Sequence, residues 1–365
     1  MASWSHMQEE RKEQESALTS ARDYFFEGAE KRLEIDFLET ANSYKKGMLA
    51  VSRAQWEILL ASVNCLILSS TICEDCHSFV LSESSLFVFP LKVLIKTCGN
   101  TTLLECLDLL LKYSLEANLK VDYVTYSHRS FVRPHLQQRA YRSFESEVSY
   151  VQTVSAFPHL NQIEELNRHF DGNGFTLGPL NGERWFIYVA DLTQCPSNKE
   201  EVEQTIEIMM SCLDRKIMAQ FYKGETNSNV SDTSGIAALI PGSLIDDHVF
   251  EPCGYSMNGL KGRYYSTVHI TPQPEFSYVS FESNLPMSSY DDLIRRVLNT
   301  FKPGCCIISV FADSEAPCGD ANKSYDALFP GYSRTFANTC EFVGRRSVTC
   351  SHYVSSARST QKHPS

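Results

Sequence analysis

Phe79-Val80-Leu81-Ser82-Glu83-Ser84-Ser85-Leu86-Phe87-Val88 reads as strand at both ends and as something else in the middle. The flanks are apolar, branched or aromatic, with no Gly or Pro, which is strand composition. Ser82 to Ser85 interrupt that run with consecutive polar residues. A serine hydroxyl can attack the carbonyl of the preceding residue, here Glu83, if the backbone is strained and the departing amide is stabilised. For a lone match of this length an edge strand with a solvated face is the ordinary meaning, so the rest of the chain has to decide.

Composition narrows the classes. The chain has 365 residues, 43% hydrophobic and 21% charged, enough apolar matter for one large domain or two small ones. Its net charge is −11 and it has no Lys/Arg-rich block, which argues against nucleic acid as a partner. The longest apolar candidate, Ile58 to Leu68, is broken by Ser62 and Asn64 and is too short to span a bilayer. Met1 to Asp23 is charged and lacks a signal-peptide core, so it is expected to be a disordered extension. Thirteen cysteines without a secretory signal point to reduced thiols and a cytoplasmic location. Cys73-Glu-Asp-Cys76-His77 matches a haem-attachment pattern, but nothing supports an axial ligand, and it reads as a solvated loop between strands. No second Cys/His pair stands at zinc spacing, and Cys305-Cys306 read as buried small hydrophobes in a strand.

Four further stretches occur with the first in one order: Lys96-Thr-Cys-Gly99, Pro252-Cys-Gly-Tyr-Ser-Met-Asn-Gly259, Val268-His-Ile-Thr-Pro272 and Phe276-Ser-Tyr-Val-Ser-Phe-Glu282. Together they closely resemble the eukaryotic S-adenosylmethionine decarboxylases, which make a pyruvoyl cofactor from one of their own serines. The resemblance runs from about Tyr24 to Lys302 and more weakly beyond. It implies an α+β fold, a four-layer αββα sandwich of two antiparallel sheets with helices on the outer faces. It also implies a dimer of processed αβ pairs.

Carried over residue by residue, the resemblance makes Ser84 the pyruvoyl precursor, with cleavage after Glu83 into a β chain 1–83 and an α chain 84–365. Ser256 and His269 match the processing pair: one stabilises the adduct, the other removes the α-proton. Cys98 matches the proton donor of decarboxylation, in which the cofactor carbonyl would take the substrate amine as a Schiff base. Glu27 and Glu30 flank the substrate without separable roles. Phe26 and Phe250 match the rings that sandwich adenine, and Leu81 and Glu83 also fall at substrate-binding positions. At Gln273 the family usually carries a Glu that grips the ribose, so a charge-assisted hydrogen bond is lost, a cost of roughly 1–2 kcal/mol. Glu34, Glu203, Thr205, Glu207 and Glu282 match the acidic cluster that binds putrescine as an activator in animal enzymes, with Glu203 where Asp is usual.

Local patterns supply the expected elements. Helices are predicted over Ser52–Leu60, Leu103–Tyr113, Tyr141–Phe157, Val202–Leu213 and Tyr290–Phe301, the last stopped by Pro303-Gly304. The Val202–Leu213 reading places Glu203 and Glu207 on one helical face at i, i+4. Strands are predicted over Val63–Ser70, continuously over Phe87–Cys98, and over Val121–Tyr126, Arg184–Ala190, Tyr264–Thr271, Phe276–Glu282 and Ile307–Phe311. Cys98 then precedes a helix N-terminus, which favours a thiolate or a poised donor. His128, Arg129 and Arg133 read as a solvated basic loop. The body spans 24–345 in two similar halves, 24–190 and 200–340, and 346–365 reads as a disordered polar tail. A rival from another class is an inactive paralogue that activates a true decarboxylase; the presence of Ser84, Cys98, Ser256 and His269 weighs against it. A hydrolase is remoter, for want of a nucleophile-elbow glycine pattern.

Overall fold

Strand alternation builds most of the chain. The computed structural model describes residues 25–137, 170–180, 182–192, 202–224, 229–319, 328–342 and 346–359. The expected extension 1–23, the helix expected at Tyr141–Phe157 and the junction near 195 lie outside them. In chain order the strands are β1 (Lys31–Glu39), β2 (Ile67–Ile72), β3 (His77–Leu81), β4 (Ser84–Phe89), β5 (Lys92–Thr97), β6 (Leu119–Arg129), β7 (Asn173–Leu177) and β8 (Trp185–Asp191). The second half repeats the count with β9 (Gln204–Ser211), β10 (Leu244–Val249), β11 (Tyr255–Lys261), β12 (Tyr264–Thr271), β13 (Tyr278–Ser283), β14 (Cys305–Asp313), β15 (Tyr332–Glu341) and β16 (Arg346–Ser355).

Two eight-stranded sheets result, ordered β2-β3-β4-β5-β1-β6-β8-β7 and β10-β11-β12-β13-β9-β14-β16-β15. The second order is the first with every label advanced by eight, and every pairing is antiparallel. The halves are therefore topological copies, although their sequences do not announce it.

Helices cover the outer faces. On the first sheet lie α1 (Arg53–Ser62) and α2 (Leu107–Glu116); on the second lies α3 (Asp291–Phe301). Helix α1 starts with a capping box: Ser52 Oγ accepts from the Gln55 amide while Gln55 Oε1 accepts from the Ser52 amide. It buries Trp56, Leu59 and Leu60 against Leu33, Ile35 and Phe37 of β1. Helix α3 buries Leu293, Ile294 and Val297 against Ile206, Ile208 and Met210 of β9 and ends at Lys302, in left-handed conformation just before Pro303. Each such apolar side chain contributes about 1.5–3 kcal/mol on burial. Two smaller apolar clusters lie on the facing sides: Trp185, Ile187, Met209, Ile307 and Val348 in one, Phe87, Leu94, Leu260 and Tyr265 in the other. The αββα sandwich is as expected.

Several local expectations fail. Within residues 202–213 the chain forms strand β9 (Gln204–Ser211), not a helix, because Ile206, Ile208 and Met210 alternate into the core under α3 while Glu203, just ahead of the strand, Thr205 and Glu207 take the opposite face. The run Phe87–Cys98 is split at Pro90-Leu91, where the β4–β5 hairpin turns; Pro cannot donate to a continuing ladder. His128 and Arg129 belong to β6 and are buried: His128 stacks on Phe131 with centroids 4.5 Å apart, and Arg129 bonds Glu183 at 2.6 Å. Arg133 alone of the three is partly exposed. Residues 346–355 are no loose tail; β16 lies between β14 and β15, with Val348, Cys350 and Tyr353 buried. Cys305 and Cys306 are buried in β14 as expected. Among the described residues no helix is long and apolar enough to cross a membrane.

Candidate active site

The organising stretch is a hairpin, with Ser82-Glu83 as the turn between β3 and β4 and Leu81 paired with Ser84. Ser84 has φ +120°, a region that residues with a side chain rarely adopt, while being 1% exposed. Such strain costs on the order of 1–3 kcal/mol and persists only where the surroundings impose it. Neighbouring strand residues ordinarily face opposite ways. Here Ser84 Oγ lies 3.2 Å from both ring nitrogens of His269, and Ser85 Oγ lies 2.7 Å from Nε2.

His269 sits on β12, in register with Ser256 on β11 and Ser280 on β13, so the three occupy one row of the inward face. Its Nδ1 meets Glu30 Oε1 at 2.6 Å. Glu30 also accepts from Tyr278 OH at 3.0 Å and from Ser280 Oγ. Burial pushes the Glu30 carboxyl up, but Lys96 and His269 more than offset it and hold it at about 2. Burial keeps His269 below its ordinary value despite that carboxylate. A neutral imidazole beside an ionised carboxylate carries its proton on Nδ1 and leaves Nε2 as the acceptor. Around Nε2 stand the hydroxyls of Ser84, Ser85 and Thr267, the last at 3.0 Å. Asn258 accepts from Ser85 at 2.5 Å and donates to the Phe79 carbonyl at 2.9 Å, tying β11 to the hairpin.

The Glu83 carbonyl oxygen accepts the Cys98 amide at 3.0 Å, and Cys98 Sγ lies 3.8 Å from Glu83 Oε2. Burial drives the Cys98 thiol well above its ordinary range, so it stays protonated; the next helical turn begins only at Leu103, and no thiolate is favoured. Burial likewise raises Glu83, to about 7. Gly99, at φ +60°, leaves room for Phe26, whose ring would stand 2.9 Å from a Cβ there. Residues 25–30 reach the site because Gly28 has no side chain: a Cβ would lie 2.7 Å from Thr271 Oγ1.

Glu27 and Glu30 separate cleanly. Glu27 accepts the Val132 and Arg133 amides at 2.8 and 3.3 Å, not His269; burial pushes its carboxyl up. Phe250 follows directly on β10, edge-on to His248 with centroids 4.8 Å apart. Gln273 holds Oε1 buried without a hydrogen-bond partner among the described residues, an acceptor available to a ligand hydroxyl. Leu81 differs: its side chain packs in the outer core, so its backbone alone stands near Ser84.

Glu34, Glu203, Thr205, Glu207 and Glu282 do converge between the sheets, but cations already lie among them. Arg32 bonds Glu34 at 2.7 Å and Glu282 at 2.9 Å; Lys96 bonds Glu207 at 2.9 Å and Glu282 at 2.7 Å. Lys92 bonds Glu203 and approaches Glu34 and Asp36, each at 3.4 Å, while Arg346 bonds Asp36 at 2.9 Å and Asp313 at 3.2 Å. The adjoining cleft, lined by Arg32, Glu34, Glu203, Thr205 and Arg346, has about 20 Å³ free, space for roughly one water. Sequence reasoning missed Arg32, Lys92, Arg346, Ser85, Asn258, Thr267, Tyr278 and Ser280 as site residues. Their signal was period two: Arg32, Glu34 and Asp36 alternate with Leu33, Ile35 and Phe37.

Paired antiparallel sheets that bury a strained serine against a histidine–carboxylate pair define the class of this chain, an αββα sandwich with a serine–histidine–carboxylate site between its sheets. The profile of the family described as adenosylmethionine decarboxylase matches residues 23–354, and the chain belongs to that family. It is 39% identical over 339 residues to the S-adenosylmethionine decarboxylase proenzyme of Dictyostelium discoideum, covering 90% of this chain and 85% of that one. With the proenzyme of Drosophila melanogaster the identity is 40% over 340 residues, covering 87% and 92%. The crystal structure of a Trypanosoma brucei AdoMetDC-delta26 monomer shares the fold, with TM-score 0.56, 24% identity, and coverage of 74% of this chain and 99% of that one.

Proposed function

We propose that this chain is a self-cleaving S-adenosylmethionine decarboxylase whose Ser84 becomes the pyruvoyl group. The observation that carries the reading is the buried Ser84–His269–Glu30 chain beside a Glu83 carbonyl held by the Cys98 amide.

Self-cleavage follows from these residues. Ser84 Oγ attacks the Glu83 carbonyl carbon and passes its proton to His269 Nε2, the imidazolium being stabilised by ionised Glu30. The Cys98 amide, and Ser256 in the row with His269, support the developing oxyanion. As the C–N bond breaks, the Ser84 nitrogen takes a proton and an ester replaces the amide, which relieves the strain at φ +120°. His269 then removes the Ser84 α-proton, the Cβ–Oγ bond breaks, and Glu83 leaves as a carboxylate. Hydrolysis of the resulting dehydroalanine releases ammonia and yields the pyruvoyl group.

That group, once formed, supplies an electron sink for loss of carbon dioxide. Cys98, kept as a thiol by burial, donates the proton that replaces the lost carboxylate. Phe26, Phe250 and the unsatisfied Gln273 oxygen offer two aromatic faces and an acceptor for a nucleoside. Products of this class feed aminopropyl transfer in polyamine synthesis. A dimer of αβ pairs rests on the family resemblance and is read by sedimentation of the cleaved protein.

The acidic cluster favours independence from putrescine. Arg32 spans Glu34 and Glu282 where a diamine would have to sit, and the remaining space suits a water. The deciding experiment is intact-mass analysis with a decarboxylation assay. Two fragments joined in the sequence at Glu83–Ser84, a borohydride-reducible α-chain terminus and release of labelled carbon dioxide are expected; one uncut chain would overturn the reading.

A further inference from the structure

Decarboxylation replaces a carboxylate by a proton, so each turnover takes one proton from the enzyme. If Cys98 supplies it, a thiolate is left in a site where the residue is 8% exposed. Burial and the surrounding carboxylates make that thiolate costly, and it has to be quenched before the next turnover. The hydrogen bond that Cys98 Sγ makes among the described residues is to Glu83 Oε2, at 3.8 Å.

Three hydrogen bonds hold Glu83 and the residue before it in place. The Glu83 carbonyl accepts the Cys98 amide at 3.0 Å, the preceding Ser82 amide donates to the Leu66 carbonyl at 2.8 Å, and Ser82 Oγ accepts the Leu66 amide at 3.0 Å. The two Ser82 bonds lie outside the cut peptide, and the Glu83 carbonyl oxygen stays as part of the new terminal carboxylate, still an acceptor for the Cys98 amide. The carboxyl is half-buried, in reach of solvent on one side and of the thiol on the other. The charged and titratable groups that act on Cys98 besides Glu83 are Lys31 from β1, Cys65 ahead of β2 and Glu30, and Glu27 acts in turn on Lys31. The Lys31 ammonium is fully buried and bonds the Gly99 carbonyl at 3.0 Å, a positive charge beside the thiol and the carboxyls at neutral pH, although burial brings it down to about 8.

We propose, building on the decarboxylase reading, that the Glu83 side chain serves a second purpose after cleavage: it reprotonates Cys98 between turnovers, with Lys31 holding the carboxylate that remains. The balance is simple. Cys98 loses its S–H bond as the substrate carbon gains a C–H bond; Glu83 then loses its O–H bond as the thiolate regains S–H; solvent reprotonates Glu83. The titration of Glu83 near neutrality suits this task, since an acid is most useful near the working pH.

Glu83→Gln keeps the backbone carbonyl that Ser84 attacks and removes the ionisable group. In rapid-quench assays of the cleaved variant, one labelled carbon dioxide per site is expected as a burst, followed by a steady state slowed at least about tenfold. Alkylation of Cys98 by iodoacetamide should be severalfold faster in the variant, because the Glu83 charge holds the thiol up. In the cleaved wild type the rate of that alkylation should rise less steeply above about pH 7 as Glu83 ionises. An unchanged steady state, or first and later turnovers slowed equally, would overturn the proposal. If Glu83→Gln does not split, a wild-type alkylation profile without the inflection would overturn it alone. A wild-type chain that neither splits nor releases carbon dioxide instead sinks the reading on which it rests.

Discussion

Replacing Glu30 by Gln removes one charge from the centre of the self-cleaving site while keeping its shape. Glu30 Oε1 lies 2.6 Å from His269 Nδ1, and the carboxyl is 4% exposed and held at about 2, so at neutral pH it is an ionised acceptor. Glutamine can still accept from Tyr278 with its oxygen in the place of Oε2. Its amide can also donate to Nδ1, which moves the histidine proton to Nε2 and removes the lone pair that Ser84 needs. In a serine protease triad the corresponding change costs about 10⁴ in rate, or roughly 5.4 kcal/mol at 1.36 kcal/mol per decade. If the correct tautomer survives, the loss falls to about 10², roughly 2.7 kcal/mol. The assay is the disappearance of the intact 41.3 kDa chain over time, followed by mass, with a thermal melt as the control for folding. Slowing of self-cleavage by about 10² to 10⁴ is expected. A Glu30→Gln chain that folds and splits at the wild-type rate would refute the assignment of Glu30 as the partner of the base.

Ser84→Ala should leave a folded, uncut chain with no turnover, read on the same gel and assay. Cys98→Ala keeps its backbone amide on the Glu83 carbonyl and should split, yet lose about 10²-fold or more in decarboxylation; full turnover would remove Cys98 as donor. Arg32→Leu leaves Glu34 and Glu282 short of a buried cation, a loss of roughly 3–5 kcal/mol. Its melting temperature should fall and be partly restored by putrescine, which should not raise wild-type activity. Glu30 and Glu282 are both held at about 2, below the ordinary carboxyl value, so they bind fewer protons folded than unfolded. Their stabilisation is complete above about pH 4.5 and is lost as pH falls toward 2. Denaturant titrations across that window should show the decline, and a flat profile would contradict the ion-pair geometry.

Much of the site was legible because its residues fall in short, ordered motifs: Ser84 in the hairpin, Cys98 before Gly99, His269 in Val268–Pro272. Their union was not legible from spacing, since Ser84 and His269 lie 185 residues apart. The misreadings share one cause. Glu203 and Glu207 look like a wet helix face, and Arg129 like a solvated loop, when sequence neighbours alone are weighed. Strand β16 looks like a polar tail because only Val348, Cys350 and Tyr353 betray its buried face.

What the chain's own order of residues settles is the period: Leu33, Ile35 and Phe37 against Arg32, Glu34 and Asp36, and Ile206, Ile208 and Met210 against Glu203, Thr205 and Glu207. Two faces of unlike polarity per strand follow from that alternation. Which medium meets the polar face is a tertiary matter. Helices α1, α2 and α3 take the apolar faces, so the two sheets turn their charged faces toward each other. Arg32, Lys92, Lys96 and Arg346 can then answer those carboxylates away from water, because a buried charge stands only when another group from across the fold pairs with it.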